Sequence, residues 1–472
     1  MLGRGPTSLC KTEVLVYKTK TIKREIYHII IPMILENILQ ISANLVTTAM
    51  VGRLLANDIA AQGICVRITD TLWVFYKGVA IGATVLIAKA YGTGKKEDCR
   101  KIMEQTLLTE LILVFVFQVV LFFRADIFLG FFSKDAEILM LAQNYMKIIV
   151  FGFSGCVIMT VATAAFQGYG DTKTPMMVAA AMNLVPPFNW HAPEFWRFLI
   201  FGFGPLKGMG IFGAATALVL AQTFGAGMDL FLLYRKKKGL FFGTDPQKKW
   251  FYIDKSCIYE VYTTGIPAAL ESMFWQFSAI ILSKIILSYG SSAFAAYQLG
   301  IQAETITEMP AIGFSTASTT LAARAIGKKD ENLRKIYFRE LIRVAFTISV
   351  VTSILLVLFP GVFMRMMTNK EELQSIGIQY VFVMGFIQIP QNLSRIYNGT
   401  IRAMGHKNTP MIVAGFGIWV VRIPLCLIVA FLLKLPITLI WIVIALDQLS
   451  RFGLSVILYR RFGKEVYDGS AL

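Results

Sequence analysis

The chain has 472 residues, of which 56% are hydrophobic and only 16% charged. A soluble domain carries about 25% charged residues, so an ordinary water-soluble fold is excluded. The net charge of +17 sits in short segments between apolar runs, as in loops that face anionic lipid. No separate soluble domain remains to bind nucleic acid.

Apolar runs of the roughly 20 residues needed to cross a bilayer recur along the chain. They do not alternate, as residues 107–123 illustrate. Helices are therefore expected over a barrel, and the chain reads as an all-α polytopic membrane protein of twelve spans. In chain order they are expected near 28–50, 60–91, 103–124, 138–160, 175–200 and 209–234. The second six are expected near 259–287, 295–326, 341–363, 374–398, 411–432 and 437–459. This divides the chain into a basic lead (1–27), a first lobe (28–234), a linker (235–258), a second lobe (259–459) and a tail (460–472). The lead has no apolar core or small-residue cleavage site and is expected to lie in the cytoplasm. Lysine and arginine gather in the lead, the loops at 95–101 and 328–335, the linker and the tail. In a twelve-span count all of these fall on one side, which places both termini in the cytoplasm.

The halves repeat. IPMILENILQ from Ile31 aligns with IPAALESMFW from Ile266, and GDTKTPM from Gly170 with GHKNTPM from Gly405. Both Pro32/Pro267 and Gly170/Gly405 are separated by 267 − 32 = 405 − 170 = 235 residues. The same offset relates Glu36 to Glu271, Gly78 to Gly313, Lys89 to Arg324 and Gly92 to Gly327. Two lobes of like topology, related by an axis along the membrane normal, are a transporter architecture with the substrate site between them.

In combination, VGRL from Val51, AIGATVLIAKAYGTGKKEDCRK from Ala80, FQGYGDTKTPM from Phe166 and IRAMGHKNTPM from Ile401 resemble the multidrug and toxic compound extrusion (MATE) family of the MOP flippase superfamily. The resemblance runs over residues 25–462. It implies a V-shaped antiporter that expels cationic amphipathic solutes from the cell in exchange for protons or sodium ions. The superfamily also contains flippases for lipid-linked glycans, the alternative reading. A flippase predicts basic side chains at mid-span, and Lys77, Lys284 and Arg395 are the few present. The chain departs from its relatives at the usual ion sites. Thr47 stands where many carry an aspartate, and Asn183 is followed by an insertion, PPFNWHAPEFW, instead of a second aspartate. Trp275 and Gln391 occupy the positions of the second-half carboxylates.

Ionisable groups within spans are functional candidates by default. Glu36, Gln40, Asn44 and Thr47 form a polar stripe at helical spacing. Glu271 and Trp275 occupy the related helix, so two carboxylates are expected to flank one cavity. Glu304 and Glu308 lie a turn apart, and Tyr297 supplies an aromatic face for a flat cation. Asp70 and Lys77, in the matching stretch of the second span, are expected to pair with charges nearby, and Arg422 with Asp447. Lys89, Arg324 and Glu110 read as interfacial or structural groups, the basic ones snorkelling to headgroups. The six cysteines and three histidines form no metal motif, and neither HExxH nor GxxxxGK[ST] occurs. No catalytic residue, metal or cofactor is expected beyond a coupling proton or sodium ion. The expected partners are small organic cations and the lipid bilayer, with the chain acting as a monomer.

Overall fold

The computed structural model describes residues 23–40, 56–131, 135–184, 202–203, 206–207, 210–235 and 253–465. Helix α1 covers 23–40. It is followed by α2 (Ala56–Gly92), α3 (Lys96–Leu129), α4 (Ala136–Ile149), α5 (Gly152–Tyr169), α6 (Lys173–Leu184) and α7 (Ile211–Arg235). The second half comprises α8 (Lys255–Leu287), α9 (Ser291–Gly327), α10 (Glu331–Leu358), α11 (Pro360–Met367), α12 (Glu371–Ala403), α13 (Thr409–Leu432) and α14 (Ile437–Glu465). A two-residue antiparallel ribbon pairs Gly202–Phe203 with Leu206–Lys207.

Among the described residues eight helices are long and apolar enough to cross a bilayer, or nine when α4 and α5 are counted as one bent span. Helices α1 and α9 carry Glu25, Glu36, Glu304 and Arg324, which lowers their apolar character without removing them from the bundle. The expected fourth span is two helices bent by 50°, whereas its counterpart α12 is a single helix. Gly152 and Gly155 mark the bend. A Cβ at Gly155 would stand 3.0 Å from the Gln222 carbonyl of α7, so the helix closes on its neighbour there. In the expected fifth span, α6 covers Lys173–Leu184, and the insertion from Pro186 lies outside the described residues. Within α13, Phe416–Arg422 and Ile428–Leu432 are π-helical.

The repeat is realised in three dimensions, with the early turns of the first helix of each half packed into the other lobe. Ile26, Ile29, Ile30 and Met33 of α1 pack with Phe314, Leu321, Tyr337 and Ala345 in the second lobe. Reciprocally, Val261 of α8 packs with Tyr76, Val79, Met103 and Val114 in the first. Within lipid, which is as apolar as these side chains, close van der Waals packing holds such contacts together. Small residues bring the backbones together. A Cβ on Gly78 would meet Ala269 at 2.5 Å, and one on Gly313 would meet Ile34 at 3.2 Å, the related contact across the axis. Gly92 and Gly327 close the set. A Cβ on either would overlap a carbonyl of the other helix (Arg324 or Lys89) and stand 3.0 Å from the opposite glycine's Cα. The pseudo-two-fold axis therefore passes between these two glycines.

These contacts lie toward one end of the bundle, where Lys95, Lys96, Arg100, Lys101, Lys328 and Lys329 collect; we term it the basic end. Gly92→Ala or Gly327→Ala should weaken lobe closure by about 1–3 kcal/mol, because neither carbonyl has a side chain's freedom to move away. Distances between spin labels at Lys95 and Lys328 should lengthen in either variant.

Candidate functional site

Glu36, one turn beyond Pro32 on α1, is 4% exposed. Its Oε2 accepts from Gln167 Nε2 of α5 at 3.2 Å, and its Oε1 from Gln40 Nε2 at a weak 3.4 Å. Lys77 of α2 and Asp229 of α7 lie within its electrostatic reach. Asp229 is 1% exposed, and its Oδ1 has no hydrogen-bond partner. The centre of the first lobe thus gathers two buried carboxyl groups with one nearby ammonium, a surplus of acid suited to a cation. The Lys77 ammonium lies 4.8 Å from the centre of the Trp73 ring. Asp70 and Lys77 each have a nearby charge of opposite sign: Arg67, one turn earlier on the same helix, for Asp70, and Glu36 for Lys77.

The second lobe answers with different chemistry. Glu271 accepts from Arg402 Nη2 at 2.6 Å. Since 402 − 167 = 271 − 36 = 235, this is the same contact as Glu36–Gln167, with guanidinium in place of amide. One glutamate is therefore neutralised by an ion pair and its twin is not. A turn beyond Glu271, the Trp275 ring lies 4.9 Å from the Arg422 guanidinium and 4.1 Å from that of Arg451. Both arginines hold Asp447, Arg422 through Nε at 2.7 Å and Arg451 through Nε at 2.8 Å, with a further bond from its terminal nitrogen. The sequence pairing of Arg422 with Asp447 is present, and Arg451 joins it from the next turn of α14.

The other candidates disperse. Glu304 accepts from Tyr380 at 2.6 Å. Tyr297 is stacked on Trp441 with centroids 5.5 Å apart, inside an apolar cluster. Gln391 is buried on α12. Asn44 and Thr47 lie outside the described residues, as do the side chains of Asn183 on α6 and Glu308 on α9.

At the basic end Arg324 departs from the snorkelling expectation: it is 7% exposed and turned inward. It donates to Glu25 Oε1 of α1 at 2.8 Å and to the Tyr169 carbonyl of α5 at 3.0 Å, and lies 4.5 Å from the Tyr91 ring centre of α2. Glu25 also accepts from Tyr337 of α10 at 2.8 Å. This clasp ties α2 and α5 to α9 and α10. Nearby, Asp254 caps α8 through the Cys257 N–H at 3.0 Å and forms an ion pair with Lys101 of α3.

The Lys101 hydrogen bond, then that cap, hold the Asp254 carboxyl below its ordinary value. For a carboxyl so depressed, the stabilisation is fully present above the unfolded value of about 3.9 and is lost as pH falls through the folded value. Hydrogen exchange in the first turn of α8 should therefore be faster in Asp254→Asn than in the parent at neutral pH. The difference should vanish in acid below the folded value.

Two lobes joined at one end, with opposed ionisable centres in their spans and a duplicated topology, define a membrane transporter. The MatE family model matches residues 32–190 and again 267–428, beginning at the two related prolines. The chain belongs to the MATE family. It is 28% identical over 460 residues to a probable multidrug resistance protein NorM of Thermotoga maritima, covering 96% of this chain and 95% of that one. It is 26% identical to the probable multidrug resistance protein YoeA of Bacillus subtilis, covering 88% of each chain. Among solved structures, an outward-facing multidrug resistance MATE transporter of the MOP superfamily matches with a TM-score of 0.85 at 17% identity, covering 95% of this chain and 97% of that one. A MOP-superfamily transporter of Pyrococcus furiosus, described as having a binding pocket of reverse polarity, matches with 0.84 at 18% identity, covering 94% and 96%. These likenesses establish the fold as that of a twelve-helix MATE transporter.

Proposed function

We propose that this chain is a secondary active antiporter that exports cationic or amphipathic drug-like solutes in exchange for protons or sodium ions, by alternating access. The observation that carries this reading is the surplus of buried acid, Glu36 and Asp229 against the one ammonium of Lys77, in the first lobe of a MATE protein whose lobes are joined at one end. The curated relatives, carrying multidrug-resistance names over nearly their whole lengths, support the substrate class. With the basic end in the cytoplasm of a cell-membrane protein, the clasp around Arg324 closes the inner side and the conformation is outward-facing. An arriving ion and a cationic solute then compete for Glu36 and Asp229, and that competition gives the two states different affinities. Glu271, held by Arg402, serves the second lobe's architecture. A lipid-linked glycan flippase is not favoured, because Arg402, Arg422 and Arg451 are committed to Glu271 and Asp447.

The test is efflux of a fluorescent organic cation from proteoliposomes under an imposed proton gradient and then a sodium gradient. Glu36→Gln should reduce gradient-driven efflux about tenfold, equivalent to roughly 1.4 kcal/mol of differential binding. Unchanged efflux with unchanged ion dependence in both Glu36→Gln and Asp229→Asn would remove the assignment.

A further inference from the structure

Glu110, in the span of α3, is 0% exposed, and neither carboxyl oxygen has a hydrogen-bond partner. Such a group is rare in a folded protein, because an unpaired buried polar group costs at least 1–3 kcal/mol, and an unpaired charge far more. Its surroundings contribute no countercharge. The groups in electrostatic reach are the phenols Tyr76 of α2 and Tyr262 of α8. The Tyr76 hydroxyl is also buried without a partner. Of the other elements packed on α3, α5 carries no charged residue, its titratable groups being Cys156 and Tyr169. Helix α4 packs its Tyr145 with Leu121, Ala125 and Leu129 further along α3. Its charged residues are Glu137 and Lys147. The charged neighbour of Asp229 on α7 is Glu36.

The fold does not require an acid at this place. The related position is 110 + 235 = 345, and Ala345 is a fully buried alanine in the second lobe's core. The comparison is close, since α3 and α10 start at the same offset (331 − 96 = 235). Ala345 packs in the cluster that receives α1, and Glu110 stands where the first lobe receives α8. One side of the pseudo-symmetric joint is plain hydrocarbon. The other carries a carboxyl group whose burial against Tyr262 depends on α8 staying seated.

We propose that Glu110 is a proton-binding site that couples protonation to the parting of the lobes at the basic end. With α8 seated on α2 and α3, the site admits only the neutral acid, Oε–H. When the lobes part, water enters, the O–H bond breaks, the proton leaves to that water, and the carboxylate is hydrated. Closure reverses the step and takes one proton up. This rests on the antiporter reading above and assigns a proton to its inner-side transition, separately from the cation centre at Glu36 and Asp229.

Spin labels at Lys95 and Lys328, both exposed at the basic end, report the separation of the lobes without requiring transport. They would be placed in full-length protein with its native cysteines replaced, reconstituted in nanodiscs. In the parent chain the open fraction should rise with pH, approaching tenfold per unit for one linked proton. In a Glu36→Gln, Asp229→Asn background, which removes the cation centre's own titration, adding Glu110→Gln should hold the open fraction low, with less than about a twofold change over the same range. Glu110→Ala, which copies Ala345, should behave like Glu110→Gln and covers the case where glutamine folds poorly. Glu36→Gln and Asp229→Asn should keep the Glu110-dependent rise. A parent chain with no pH response, or a Glu36→Gln, Asp229→Asn background whose response survives in both Glu110 variants, would overturn the proposal. If the label distances follow Glu110 but proteoliposomes show no efflux, the antiporter reading fails while the proton-linked joint stands.

Discussion

Asp447→Asn should abolish most of the folded protein, measured as loss of the monodisperse peak after heating in detergent. The carboxylate has no exposed surface and receives hydrogen bonds from both Arg422 and Arg451. Removing one partner of a buried ion cluster leaves the others uncompensated and costs about 3–5 kcal/mol, a large part of the total stability of a typical domain. An amide keeps an acceptor oxygen but also presents an N–H₂ group to a guanidinium. The effect should be rescued by removing all three charges together, as in Asp447→Leu with Arg422→Met and Arg451→Met. Well-packed hydrocarbon in place of a buried ionic triad is commonly neutral or stabilising. A triple variant as unstable as the single one would mean that shape, and not charge, governs the site. Gly417 adds a constraint, because a Cβ there would crowd Asp447 and Arg451.

The second large effect is expected at the basic end. Arg324→Ala removes charge-assisted hydrogen bonds worth about 1.5–3 kcal/mol each and a cation–π contact worth about 0.5–2 kcal/mol. Glu25 keeps 37% of its side-chain surface exposed, so water compensates part of the loss. A net of roughly 3 kcal/mol moves the closed-to-open ratio about a hundredfold. Spin-label distances across the basic end should shift to the open population, with little loss of melting temperature, because each lobe keeps its own core. Arg324→Lys should recover only part of the effect, since an ammonium lacks the planar fork that reaches both Glu25 and the Tyr169 carbonyl.

The sequence carried the architecture well, for a physical reason. Apolar runs and basic loops are properties of single segments, and a constant offset of 235 between Pro32/Pro267 and Gly170/Gly405 is visible without coordinates. What escaped depends on which segments touch. Gln167 and Arg402 obey the same offset, but a glutamine in a helix gives no signal until Glu36 is found beside it. Asp229 lay within the expected sixth span, and only its proximity to Glu36 gives it meaning. Sequence alone sends Arg324 to the headgroups, because long basic side chains at helix ends ordinarily reach them. Its acceptors, Glu25 and the Tyr169 carbonyl, come from elements more than 150 residues away, at |i−j| of 299 and 155. Glu110 reads as structural in the sequence, and its missing partners are a fact of packing alone.

The exchange of α1 and α8 between the lobes also bears on what kind of object the molecule is. Each half, taken alone, would leave one arm without a socket and one socket without an arm. The hydrocarbon face of Ile26, Ile29, Ile30 and Met33 finds its seat only in the other half, and Val261 likewise. Among the described residues the chain is thus a clasped pair whose unity lies in traded helices. Any motion that parts the lobes at the basic end must bend or slide those two arms, and both carry a proline, Pro32 and Pro267, where a missing N–H makes bending cheapest.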